Sequence, residues 1–190
     1  MSRAGAETRA RVVQSAKERM RRQGVAATSM LDAITDAGAS RGSLYHYFPG
    51  GKAQLIEEAT AAACDEYDAA FALIEDMDAS EAIPAVVDYW RAQVESTNYS
   101  AGCPVAAAAL SGDDMSTARD RAGKGFGTWT QMIESMLLTS GVPATRAPSL
   151  ASLVVSTVEG AGIVSLAQRS MEPIERAADE LLMAVDAARA

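Results

Sequence analysis

At 190 residues, 48% of them hydrophobic, the chain is long enough to bury a core without disulfides or metal. Its two cysteines, Cys64 and Cys103, are too few for a disulfide framework and read as reduced structural thiols of a cytoplasmic protein. His46 is the only histidine, which rules out a multi-histidine metal centre and leaves a Ser-His-Asp triad one candidate base, so neither a cofactor nor an enzymatic activity is expected.

The net charge of −8 is unevenly spread. Up to Lys52 there are nine Lys and Arg against four Asp and Glu, net +5, which leaves −13 for the remainder. A basic head on an acidic body suits a chain that meets phosphate at one end only. The most apolar run, residues 153–167, is short and interrupted by Glu159, so no membrane partner is expected.

From Thr8, the apolar positions Val12, Val13, Ala16 and Met20 recur at three and four residues and predict an amphipathic helix that Gly24 ends with a left-handed cap. Thr28-Ser29 caps a short second helix, with Asp32 three residues after Ser29 and Leu31 and Ile34 as its buried face. Ala37-Gly38-Ala39 breaks it. Ser40 caps a third helix, Arg41 to Tyr47, which Pro49-Gly50-Gly51 stops before Lys52. Two short helices joined by a glycine-containing turn form a helix-turn-helix, and the first helix supplies the third wall of its core.

After Lys52 a long helix carries Leu55, Ala59, Ala63, Tyr67, Ala70 and Ile74. Ser80 caps the next, with Pro84 in its first turn and Ile83, Val87, Trp90 and Val94 as its stripe. Residues 96–102 read as a loop, and Pro104 starts a small alanine-rich helix. A further helix runs from Ser116 through Phe126, Trp129 and Ile133 to Gly141, softened by Gly123, Gly125 and Gly127. The run Gly123-Lys124-Gly125-Phe126-Gly127-Thr128 is no dinucleotide loop, because Thr128 stands where glycine is needed and no strand precedes it. A penultimate helix is apolar over a wide arc from Leu150 to Val164, with Gly160 and Gly162 allowing close approach. Pro173 opens the last helix, where Ile174, Ala178, Leu181, Leu182 and Val185 line one side. With no strand-like alternation, the fold is all-α.

The segment Thr28-Ser29-Met30-Leu31-Asp32-Ala33-Ile34, followed by Ala37-Gly38-Ala39-Ser40-Arg41-Gly42-Ser43-Leu44-Tyr45-His46-Tyr47-Phe48, strongly resembles the DNA-binding head of TetR-family repressors. Phe48-Pro49-Gly50-Gly51-Lys52, Gly102-Cys103-Pro104-Val105 and Val158-Glu159-Gly160-Ala161 resemble the LmrA/YxaF-like branch of that family. Two departures stand out: Tyr47 holds the place where the family usually has His before Phe, and an extra glycine precedes Lys52. The resemblance implies an N-terminal three-helix head, residues 1–52, followed by a helical ligand-binding and dimerisation domain, residues 53–190, about nine helices in all. It also implies a homodimer whose last two helices pair across a two-fold axis.

In such a head the second helix of the motif enters the major groove and its first residues touch base edges. That nominates Ser40, Arg41, Gly42 and Ser43: Arg41 to fork onto guanine O6 and N7, Ser43 to bond several bases, and Gly42 to let backbone approach closely. Tyr45 and His46 face phosphate, Thr28 and Lys52 hold phosphates at helix starts, and Tyr47 is open between packing and phosphate. Leu44 and Phe48 point into the core.

In the body, Tyr67, Phe71, Trp90, Phe126, Trp129, Met132 and Met136 are expected around a cavity for a small apolar or aromatic effector. Val154, Val158, Gly160, Ala161, Leu181, Leu182 and Val185 are expected at the dimer interface. The whole reads as a ligand-responsive repressor that binds near-palindromic, double-stranded operator DNA. The competing reading is a helical ligand- or partner-binding protein whose head has lost DNA affinity.

Overall fold

Gly24 sets the first boundary. In the computed structural model, which describes residues 3–189, α1 spans Arg3–Ala27, and Gly24 kinks it at φ 76°, ψ 172°. The positive φ anticipated at this glycine is present, but a last helical turn follows it. The second helix, α2 (Met30–Asp36), starts at Ser29, whose hydroxyl accepts from the Asp32 amide at 3.3 Å, and Gly38 at φ 68° turns the chain after it. The third helix is a 3-10 turn, Arg41–Ser43, running into α3 (Leu44–Tyr47).

The long α4 (Gly51–Phe71) ends before Ile74, which lies in the turns of residues 72–77. Next comes α5 (Ala79–Glu95), capped by Asp78 and not by Ser80: the Asp78 carboxylate accepts from the Ser80 amide and hydroxyl at 2.9 and 2.6 Å. Both donors are Ser80's own, so its hydroxyl is spent on Asp78 and the carboxylate takes the cap. That shift places exposed Pro84 in the second turn of α5, where the lost amide costs one helical hydrogen bond. The remaining helices are α6 (Pro104–Ala109), α7 (Ser116–Thr139), α8 (Ala147–Gln168) and α9 (Glu172–Arg189). Among the described residues there are nine α-helices and no strand.

The helices sort into two compact units, and they do not follow a single cut at residue 52. Unit 1 comprises residues up to 66 together with 103–125. Its α1 packs on both α2 and α6. Val12, Ala16 and Met20 of α1, Ile34 of α2, Leu44 of α3 and Phe48 just after it, Leu55 and Ile56 of α4, and Val105 and Ala108 of α6 are all buried. Each large side chain among them contributes about 1.5–3 kcal/mol on transfer from water.

Unit 2 comprises residues 67–102 and 126 onward. Its α9 packs on α8 and α5, burying Leu150, Val154, Ile174, Leu181 and Val185. At the far end of α9 the Arg189 Nη2 donates to Asp78 Oδ2 at 2.7 Å, tying the last turn of the chain to the cap of α5. This guanidinium, and then the Ser80 donors, hold the Asp78 carboxyl well below the usual carboxylate range.

A folded-state pKa below the unfolded value adds stability above the unfolded carboxylate pKa of about 3.9, and that stability is lost as pH falls further. Asp78→Asn should therefore melt below the wild type at pH 5–7, with the difference shrinking from pH 4 towards pH 2. A Tm difference independent of pH in calorimetry would show that the charge on Asp78 adds nothing to its cap.

Candidate nucleic-acid interface and ligand cavity

The recognition segment, the 3-10 turn Arg41–Ser43 with α3, is seven residues long, so its own hydrogen bonds cannot hold it. Leu44 is 4% exposed and Phe48 fully buried, and these two anchor it to the core of unit 1. Arg9 braces it from α1, with its guanidinium carbon 5.0 Å from the Phe48 ring centroid, Nε donating to the Tyr47 carbonyl at 3.3 Å, and Nη2 paired with Glu58.

With its apolar side fixed, the segment turns its polar side to water. Ser40, Arg41, Gly42 and His46 are exposed, Tyr45 is 71% exposed, and Ser43 and Tyr47 are half-buried. The hydroxyls of Ser40 and Ser43 share a hydrogen bond of 2.7 Å, so Ser40 closes the first turn through a side chain and not through the usual amide contact. The rings of His46 and Tyr47 lie 5.5 Å apart at 58°. Gly42 has ordinary backbone angles, and a Cβ built on it meets nothing within 4 Å, so the fold itself does not require glycine there.

Most of the basic residues of the head are engaged within it. Arg19 binds Asp36 and Asp32 at 2.8 and 3.1 Å, Arg22 and Arg21 bind Glu18, and Lys17 pairs with Glu66. The Asp36 carboxyl is pulled below its usual range, first by the hydrogen bond from Arg19 and then by the one from Ser15. Among the described residues Arg41 makes no side-chain hydrogen bond or ion pair. Lys52 is half-buried and donates to the Ala26 carbonyl at 3.0 Å.

Thr28 departs from expectation. It is 1% exposed and its hydroxyl donates back to the Gly24 carbonyl at 2.8 Å, so its only donor is spent and the capping falls to Ser29.

Unit 2 holds a cavity of about 270 Å³. Six of the seven residues expected to line it do so: Tyr67, Phe71, Trp90, Trp129, Met132 and Met136. Phe126 is not in the wall; its ring packs edge-on against Trp129, 5.1 Å away at 86°. Trp129 is also held by its indole N–H, which donates to Asp68 Oδ1 on α4 at 2.8 Å, and by the rings of Tyr67 and Phe71 at 5.2 and 5.8 Å. The sequence reading missed Tyr89 and Val86, although Ala82, Val86 and Tyr89 form a second i, i+4, i+7 row on α5, one position round from the stripe chosen. It also missed Glu159, Val155 and Val158 of α8 as wall residues.

The expected interface residues divide. Val154, Leu181 and Val185 are 4%, 3% and 1% exposed, buried by their own chain, because α9 turns its apolar stripe onto α8 and α5. Val158, Ala161 and Leu182 are half-buried and Gly160 is exposed. Apolar surface is instead open at Leu153, Ile163 and Val164 of α8 and Met183 of α9. Gly162 faces inward: a Cβ there would lie 2.9 Å from Cη2 of Trp90.

This architecture is shared. Residues 12–59 match the bacterial regulatory proteins of the tetR family, and residues 79–180 match the LmrA/YxaF-like transcriptional regulator C-terminal domain. A Mycobacterium tuberculosis protein named as an uncharacterized HTH-type transcriptional regulator is 36% identical over 174 residues, covering 88% of each chain. The Bacillus subtilis HTH-type transcriptional regulator LmrA is 28% identical, with 88% of this chain and 91% of that one covered. A TetR transcriptional regulator from Chloroflexus aurantiacus J-10-FL superposes with a TM-score of 0.82 at 28% identity, over 97% of each chain. The chain belongs to the TetR family of DNA-binding transcriptional regulators, in its LmrA/YxaF-like branch.

Helix propensity alone would make Gly162→Ala stabilising by up to about 1 kcal/mol. The new methyl meets a buried, rigid indole, so we expect the opposite sign, a loss of about 1–3 kcal/mol in urea denaturation together with a changed tryptophan emission. Unchanged emission with higher stability would mean that Gly162 does not position Trp90.

Proposed function

We propose that this regulator is a repressor that binds a near-palindromic operator as a homodimer and is released by a small apolar or aromatic ligand held in the unit 2 cavity. The observation that carries the reading is the state of Arg41: it stands exposed at the start of the recognition segment while Arg9, Arg19, Arg21 and Arg22 are engaged inside the head. An arginine without a protein partner, on a segment narrow enough for a major groove, is suited to fork onto guanine.

Gly42 beside it adds no bulk and has no structural need to be glycine, which fits close approach of backbone to DNA. Ser43, Tyr45, His46 and Tyr47 supply donors for bases and phosphate from the same short segment, with Ser40 at its start. Lys52 would exchange its carbonyl partner for a phosphate. Thr28 would serve only by supporting α2 from beneath.

The pairing of two copies would rest on α8. Its 22 residues contain one charge, Glu159, and only 28% of its most apolar eighteen-residue window, of mean hydropathy 1.7, is buried by its own chain. Leu153, Gly160, Ile163 and Val164, with Met183 of α9, form the surface for a second copy, in place of the inward-turned Val154, Leu181 and Val185. Val158, Ala161 and Leu182, each half-buried, would flank it.

Ligand release would run through α4, because the helix that begins beside Lys52 also carries Tyr67 and Phe71 on the cavity wall and Asp68, the partner of Trp129. Only a ligand that binds the DNA-bound and DNA-free conformations with different affinity can shift the balance.

In gel shifts against operator and random duplexes, Arg41→Ala should lose about 1–3 kcal/mol of discrimination at the guanine it reads, whereas Lys52→Ala should weaken both duplexes and reduce the salt slope by about one. Equal operator preference for Arg41→Ala and wild type removes Arg41 from base recognition. For the assembly, light scattering at micromolar concentration should give a dimer for the wild type and a monomer for Ile163→Asp; a monomeric wild type defeats the dimer.

A further inference from the structure

We propose that the unit 2 cavity is built for a hydrophobic cation, a bulky or aromatic molecule carrying a quaternary or protonated centre, with Glu159 as its counter-charge. This rests on the reading of the cavity as the effector site and names the chemical class that the site selects.

The argument starts from where charge lies. From Ala147 to Gln168 the helix α8 has a single charged residue, Glu159. A carboxylate in the middle of the most apolar helix of a chain is costly unless something offsets it. Glu159 is half-buried and stands on the cavity wall. The other charged residue of the wall is Glu75, and no Lys, Arg or His is among the described lining residues. The lining is therefore uniformly negative where it is charged at all.

The uncharged part of the wall fits the same occupant. Five aromatic side chains, Tyr67, Phe71, Tyr89, Trp90 and Trp129, contribute to it. Tyr89, Tyr67, Trp129 and Phe71 form a continuous series of ring contacts, 5.9, 5.2 and 5.8 Å between centroids, with inclinations of 67°, 67° and 42°. Aromatic rings attract cations through the negative potential of their faces, and more strongly where water is displaced.

Size also bears on the choice. In a cavity of about 270 Å³ a ligand large enough to fill the space excludes the water that screens Glu159, a half-buried group whose Oε2 is already out of reach of solvent, whatever hydrogen bonds that group keeps within the protein. A neutral ligand does nothing for the unscreened charge and an anion adds repulsion; a cation meets it with direct attraction. The methionines Met132 and Met136 accommodate varied shape around that fixed charge requirement.

Trp90 and Trp129 are the only tryptophans of the chain and both line the cavity, so their fluorescence reports occupancy directly. Tetraphenylphosphonium and tetraphenylborate have the same tetrahedral shape and opposite charge, and each would be titrated into the purified full-length protein. The phosphonium should quench saturably with at least about tenfold higher affinity than the borate. Glu159→Gln, which keeps the volume and removes the charge, should weaken the phosphonium about tenfold and leave the borate unchanged or tighter. Equal or tighter binding of the borate by the wild type overturns the cation assignment while leaving the cavity as a ligand site, and so does phosphonium affinity that is unaltered in Glu159→Gln. Absence of saturable quenching by either ion overturns the cavity reading and the cation assignment together.

Discussion

A segment of one 3-10 turn and one α-turn has no stability of its own, and the polar surface it presents, on which the proposed DNA contact rests, depends on the two side chains that pin it, Leu44 and Phe48. Because both are buried and four residues apart, the register of the segment is fixed: sliding it by one residue would put Tyr45 and Pro49, or Ser43 and Tyr47, in the buried places of Leu44 and Phe48. Arg9 adds a second restraint from α1 by meeting the Phe48 ring and the Tyr47 carbonyl together. The half-burial of Tyr47 follows from its place beside this brace. Its backbone carbonyl is engaged, and its ring sits against His46.

Net charge was a poor guide to which residues are available to a partner. Of the nine basic residues behind the head's net +5, most are held within a few ångströms of a carboxylate: Glu18, Asp32 and Asp36 inside the head, and Glu58 and Glu66 of α4. These pairs lie at the surface or half-buried beneath it, and their main effect is on where the remaining positive potential lies. Among the described residues, the basic side chains of the head left without a carboxylate are Arg11, which bonds the Ala37 carbonyl and the Thr8 hydroxyl, Lys52, which bonds the Ala26 carbonyl, and Arg41.

The features legible in the sequence are local ones. Ser29 with Asp32, the helix break at Gly38, the end of α7 before Gly141 and Pro104 at the start of α6 each act over a turn or less, and the structure keeps them; Gly24 has the expected positive φ but kinks α1 without ending it. The cavity was legible in part because aromatic and methionine stripes have a period. Tyr89 escaped because α5 offers two adjacent apolar rows, and the stripe chosen belongs partly to the core. The association of α6 with α1 was not legible, since it joins residues about ninety positions apart through alanine and valine that could pack against any apolar wall. The inward turn of α9 was not legible for a related reason: amphipathicity says that Leu181 and Val185 need cover, and only the fold shows that α8 and α5 provide it.

What then remains for α8 is an unusual division of labour along one helix. Its inner face holds Gly162 against Trp90 and sets Glu159 in the cavity wall, while Leu153, Ile163 and Val164 stay open on the other side. The same 22 residues therefore both shape the cavity and present apolar surface, so a displacement of Trp90 on one side has to be absorbed by a helix whose other side is uncovered in a lone subunit. Close-packed interiors transmit such shifts instead of cushioning them. In the paired state proposed above, cover on the outer face would stiffen α8 and leave α4, which holds Trp129 through Asp68, as the wall able to yield. The helix that gives way to an occupant would then be the one that leads back to Lys52 and the head.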